Sequence, residues 1–143
     1  MRIGFTAPCE GARVPQLVPV RLAVPVYPTR EQGAFVITGT VLTDATGRRL
    51  PEPYTFSAFH PLVLGPGTSE ETGRPDVWRN NVIVGSRCAP LADRTRVQLR
   101  IYLLSPAGLE FAEREWRQST PVRIPADSVL MDHVNVTRQD ACR

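Results

Sequence analysis

Lysine is absent from this chain of 143 residues; all 17 basic side chains are arginine, set against 14 acids for a net charge of +3. The phosphate-binding loop that needs a lysine is therefore excluded, and Gly65-Pro66-Gly67 is followed by no helical pattern that could complete one. All-arginine usage fits a GC-rich coding sequence, as do the many Ala, Pro, Val and Gly residues; this explanation is favoured over selection for bidentate contacts. The balance is mildly basic, with an isoelectric point near 9.1, which permits an anionic partner without requiring one.

Histidine is almost as scarce, with two residues, His60 and His133. His60 precedes Pro61, and His133 sits beside Asp132 in a strand pattern, where neighbouring side chains point to opposite faces. Asp132 is thus badly placed to orient His133. A Ser-His-Asp triad drawing on Ser128 or Ser57 would have no GxSxG turn to present the nucleophile. His60, His133, Asp127 and Asp132 lack the spacing of metal ligands. No catalytic residue, metal ligand or cofactor site is expected, and an enzyme is disfavoured.

Cysteine is limited to Cys9, Cys88 and Cys142, spread from one end to the other without a CxxC pair or a Cys/His cluster. Zinc and redox motifs are disfavoured by that spread. One disulfide with one free thiol would suit an oxidising compartment, and three thiols a reducing one. Cys9 with Cys88 is the candidate disulfide, and Cys9 with Cys142 a second pairing. Apolar runs are short, none approaching the ~20 residues of a membrane-spanning helix. After Met1-Arg2 the stretch from Ile3 to Pro8 has no apolar core of a signal peptide. A virion or cytoplasmic location is expected, with a secreted or periplasmic one if the chain is a mature domain.

What is abundant is β pattern and proline, the latter at 14 residues. From Val14 to Tyr27 the chain alternates, with Val18, Val20, Leu22, Val24 and Val26 on one face. Pro15, Pro19 and Pro25 share one parity, so their missing N–H groups lie along one edge, which predicts an edge strand. Ala34–Thr43 reads as a strand with Gly39 as a bulge, then a turn with Gly47 at positive φ, then a strand over Tyr54–Phe59. His60–Asp76 reads as a long loop. Val77–Val84 reads as a strand interrupted at Asn80-Asn81.

Arg94–Leu104 is the clearest strand, with Val97, Leu99, Ile101 and Leu103 inward and Arg94, Arg96, Gln98, Arg100 and Tyr102 outward. Ser105-Pro106-Ala107-Gly108 reads as its terminating turn. Leu109–Gln118 reads as a short helix carrying Leu109, Ala112 and Trp116 on one face, with Glu110–Arg114 and Glu113–Arg117 pairs. Val122, Ile124 and then Val129–Thr137 supply the last strands. The whole predicts one all-β domain over 1–143, an antiparallel β-sandwich of Ig-like or jelly-roll type with one short helix near 109–118 and an extended Pro-rich segment at about 1–17.

With chemistry thinly represented, surfaces carry the functional expectation. Arg94, Arg96, Arg100 and Tyr102 form an outward row, and Glu70, Glu71 and Arg74 lie in the long loop; together they are the candidate interaction surface. A nucleic-acid partner is disfavoured by the small net charge and the absence of a basic tail. Asn135-Val136-Thr137 matches a glycosylation acceptor, a pattern that often arises by chance. The leading expectation is a non-enzymatic structural or interaction protein, most concretely an auxiliary or decoration component of a phage-like particle or similar assembly. Its partners would be proteins, copies of itself among them, with no membrane insertion. A secreted or periplasmic Ig-like binding module with one disulfide comes second, and a small hydrolase or metal-dependent enzyme last.

The assembly reading predicts that Cys9, Cys88 and Cys142 all react when protein from its native source is alkylated under denaturing, non-reducing conditions and weighed intact. Two protected thiols would put the binding module first.

Overall fold

The computed structural model describes residues 3–43, 46–49, 57–65, 73–74, 76–84, 94–116 and 123–139, with only the backbone described for 57–60. These residues are mostly β, in two separate sheets with one short helix and no barrel. The strands are β1 (Gly4–Ala7), β2 (Ala12–Val14), β3 (Leu17–Ala23), β4 (Ala34–Val41), β5 (Ser57–Val63), β6 (Val77–Ile83), β7 (Arg96–Leu104) and β8 (Val129–Arg138), and the helix is α1 (Pro106–Glu115). One sheet has the order β1-β3-β6; the other is five-stranded, in the order β2-β8-β7-β4-β5.

The period-two pattern buries as expected. Val18, Val20, Leu22 and Val24 are at most 1% exposed, whereas Val26, beyond the strand, is 74% exposed. Beside them, on the same sheet and in the same core cluster, are Trp78, Val82 and Val84 from the β6 region. Phe35, Ile37, Val97, Leu99, Ile101, Val134 and Val136 come from the five-stranded sheet. One apolar layer is thus filled from the inner faces of both sheets. Trp78 is fully buried, and truncating such a side chain costs about 3–5 kcal/mol, more than any single surface contact here.

The edge-strand expectation for Val14–Tyr27 holds for only half of β3. Val24 N–H donates to Asp76 O and Gln16 O accepts from Val84, so the even-numbered backbone groups face β6. The odd-numbered groups, including the donor Pro19 lacks, face the other way. On that side β1 pairs with Arg21, Leu22 and Ala23 only, and stops before reaching Pro19. A ladder cannot continue past a residue with no N–H, so proline marks where pairing ends. Val14 belongs to neither strand of this sheet. It closes β2, which pairs with β8 in parallel, so the expectation of a purely antiparallel arrangement is corrected.

Further boundaries also shift. β5 runs through His60 and Pro61 to Val63, where a loop was expected; it is the edge strand of its sheet, the place where a proline is tolerated. Gly39 does lie at a register irregularity against β5 while its pairing with β7 stays regular. Asn80-Asn81 does not interrupt β6, whose pairing with β3 is unbroken from Leu17↔Ile83 to Ala23↔Val77. The Asn80 side chain accepts from Asn81 N–H at 2.8 Å, which occupies a donor on the side away from β3. Residues 123–125 form no strand, and Val122 lies outside the described residues.

The helix begins three residues earlier than the sequence suggests. Ser105 is its N-cap, accepting from Gly108 N–H at 3.0 Å, and Pro106 occupies the first turn, where its missing donor costs nothing. Ser105 Oγ also donates to Asp127 at 2.6 Å, tying the cap to the approach to β8. Leu109, Ala112 and Trp116 face the sheet as expected and pack on Val36, Tyr102 and Leu104 in a second, smaller core. Arg114 pairs with Glu115 at 3.7 Å and lies over the Phe111 ring, rather than pairing with Glu110. Among the described residues no helix is long and apolar enough to cross a membrane.

Gly33 is held at φ +120, and a Cβ there would lie 1.8 Å from Leu104 O. This close approach sets the start of β4 against the end of β7. Gly11, at φ +78, has open space around its Cβ position. Gly33→Ala is expected to destabilise by about 2–4 kcal/mol and Gly11→Ala by about 1 kcal/mol, measured by chemical unfolding. Equal effects would mean that the backbone approach at Leu104 carries no weight.

Candidate interaction face

The outward side of the five-stranded sheet carries a connected set of polar side chains. Alternation along β7 places Gln98, Arg100 and Tyr102 outward, between buried Val97, Leu99 and Ile101. Cross-strand register then sets Gln98 opposite Asn135, Arg100 opposite His133 and Tyr102 opposite Leu130. Gln98 Nε2 donates to Asn135 Oδ1 at 3.1 Å. Arg100 Nε donates to Gln98 Oε1, and Arg100 Nη1 to Tyr102 Oη at 3.3 Å. The guanidinium is therefore held along the strand instead of waving in solvent.

The ladder is anchored at its other end by the N-terminal segment. Glu10 accepts from Asn135 N–H at 3.0 Å and from Asn135 Nδ2 at 2.6 Å. Gly11 N–H donates to Asn135 O at 2.8 Å, leading into β2. The Asn135 N–H and side-chain amide hold the exposed Glu10 carboxyl below its ordinary range, with a smaller push from His133. Asn135, expected as a chance glycosylation match, has both side-chain atoms committed to Glu10 and Gln98 within a strand flanked on both sides.

The expected row is only partly one surface. Arg96 is exposed and Arg100 and Tyr102 are half-buried on the outward face, with Gln98 between them. Arg94 lies ahead of β7 at φ 72, exposed, its N–H donating to Arg138 O, so it precedes the strand it was expected to open. Arg74 leads into β6 of the other sheet and pairs with Asp76 at 3.6 Å, apart from the arginines of β7. Glu70 and Glu71 lie outside the described residues, as do Cys88 and Cys142. Cys9 is an exposed, free cysteine among the described residues, and the Cys9–Cys88 pairing falls outside them.

Asp132 and His133 part company as strand geometry requires. Asp132 accepts from Phe5 N–H at 2.9 Å, linking β8 to β1 of the other sheet, while His133 is exposed on the outward face. Among the described residues no three His, Cys, Asp or Glu side chains come together as metal ligands. Thr38 Oγ1 and Ser128 Oγ are buried without a hydrogen-bond partner.

The sequence reading missed two contributors to this face. Glu10 anchors the ladder, and Arg13 is brought beside it. Parallel pairing puts Arg13 opposite Thr137, which in turn lies opposite Arg96. Both facts depend on contacts between chain ends, and alternation within one segment carries no signal of them. Comparison with models of known families, with curated proteins and with solved structures finds no match.

Because the Glu10 carboxyl is depressed in the folded state, its contribution is full above the ordinary carboxylate range and is lost as pH falls through the folded value. At neutral pH the Asn135 amide should exchange its hydrogen faster in Glu10→Gln than in the parent, and the gap should close below about pH 4. A gap that persists unchanged in acid would show that the carboxylate charge does not hold this clasp.

Proposed function

We propose that this chain is a non-enzymatic structural or interaction protein, and that the outward face of β7 and β8 is its contact surface. The most concrete form is an auxiliary or decoration component of a phage-like particle or a similar large assembly, acting in the virion or the cytoplasm. The supporting observation is the composition of adjoining register positions: Arg100 opposite His133 and Tyr102 opposite Leu130. Leu130 is 46% exposed, so apolar surface adjoins an arginine and a tyrosine held in fixed geometry. Interface cores are enriched in Tyr and Arg, and such residues lose little entropy on binding when already positioned. In this reading the two sheets pack as a sandwich of Ig-like or jelly-roll type, leaving for a partner the part of the outward face that α1 does not cover.

The described N-terminal residues refine this reading. Within the Pro-rich segment at about 1–17, residues 4–7 and 12–14 pair in the chain's own sheets. Recognition is therefore assigned to the sheet face and not to this segment.

Leu130→Asp is the test. Sedimentation of the parent with extracts of its native source should show association with a large particle or defined oligomer. The variant should lose it while its stability stays within about 0.5 kcal/mol. A parent that remains monomeric at high concentration and joins no assembly would count against the proposal.

A further inference from the structure

Three neighbouring strands bring two arginines into one row that no single segment reveals. Arg13 on β2 lies opposite Thr137 on β8, and Thr137 lies opposite Arg96 on β7. Alternation puts all three on the outward face, since Val14, Val97 and Val136 beside them are buried in the shared core. With strands about 4.8 Å apart, the two arginine backbones stand roughly 10 Å from each other. Thr137 between them is short and uncharged. Both Arg13 and Arg96 are exposed. Farther along the same face come His133 and the braced Arg100.

The acid complement of this face is small. Among the described outward residues of β2, β7 and β8, none is a carboxylate; Glu10, which precedes β2, is turned onto Asn135 by two hydrogen bonds. The face therefore has a one-sided charge. Arginines splayed at this distance suit separate carboxylates on another protein better than one small anion. The neighbouring features select the same class of partner. Exposed Leu130 beside Tyr102 offers apolar contact that a phosphate backbone cannot use.

We propose that the Arg13–Thr137–Arg96 row, with His133 and Arg100 beyond it, docks a carboxylate-rich segment of a partner protein. This rests on the reading of the outward face as the contact surface and names the chemistry of what it contacts. Steering by such a face acts mainly on the rate of association and weakens with salt.

The probe is a fluorescently labelled ten-residue glutamate peptide, titrated at low salt against the full chain, with a single-stranded DNA 20-mer as the competing anion. The double variant Arg13→Glu/Arg96→Glu is compared with Arg30→Glu/Arg123→Glu, which makes the same charge change at exposed arginines outside this row. Peptide binding should fall about tenfold or more in the first pair and about twofold or less in the second. Equal losses would overturn the inference by reducing it to net charge, and absence of peptide binding by the parent would overturn it outright. Tighter binding of DNA than peptide, lost through Arg13 and Arg96, would replace it with a nucleic-acid face. Arg96→Glu alone, away from the short β2 ladder, separates binding from any failure of the double variant to fold. Should the peptide fail while the parent still joins a particle in the sedimentation experiment, the contact surface survives and only its acidic partner is lost.

Discussion

Neither sheet can hide its apolar side alone, so each must supply half of one layer to the other. A three-stranded sheet in water leaves Val18, Val20, Leu22 and Trp78 wet, and at about 25 cal/mol per Å² that exposure outweighs anything its hydrogen bonds return. Burial against Ile37, Leu99, Ile101 and Val134 removes the cost from both sides at once. The Asp132 carboxylate then accepts from Phe5 N–H across the two sheets, a contact that only this mutual burial makes possible. The polar ladder on the outward face is a dependent feature too, since the side chains facing out of β7 are those left when alternate residues are claimed by the core.

The N-terminal residues serve both partners. β1 adds to the smaller sheet, β2 crosses to the larger, and β3 returns to the smaller, so a stretch of about twenty residues acts as a seam. Proline sets its stops: Pro15 falls between β2 and β3, and Pro19 presents no donor where β1 has ended. Arg138 shows the same economy at the far end. Its inward parity leaves it 3% exposed, and its guanidinium donates to the carbonyls of Val14 and Gln139. A buried charge satisfied by backbone oxygens, one of them on the strand beside it, joins β2 to β8.

What was readable in the sequence was local. Val18 to Val24 and Val97 to Ile101 announced their buried faces because period two is written within a single segment. Gly39 and Gly47 were legible for the same reason, one as a ladder irregularity and the other as a positive-φ turn. The Ser105-Pro106 helix start carried a signal that a turn reading obscured, since serine before proline serves both turn and cap. The strand expected to end at Phe59 continues through His60 and Pro61 to Val63, because only the finished sheet order makes β5 an edge. The site was less legible. Arg100 and Tyr102 followed from alternation, whereas Glu10 and Arg13 reach the face through pairing with residues some 125 positions away, which alternation within one segment cannot encode.

The position of β8 has a consequence for the order in which this chain can acquire its shape. It lies between β2 and β7, and it is the last strand among the described residues, so the larger sheet has a gap until it is made. During synthesis β2 emerges early with no partner for its parallel ladder, and β7 offers an unpaired edge until residues 129–138 leave the ribosome. Loop-closure entropy over so long a separation must be met before those contacts return anything, which makes completion a late, concerted event. A nascent chain stalled before β8 would present the β7 edge to its neighbours, and the outward face described above would not yet exist.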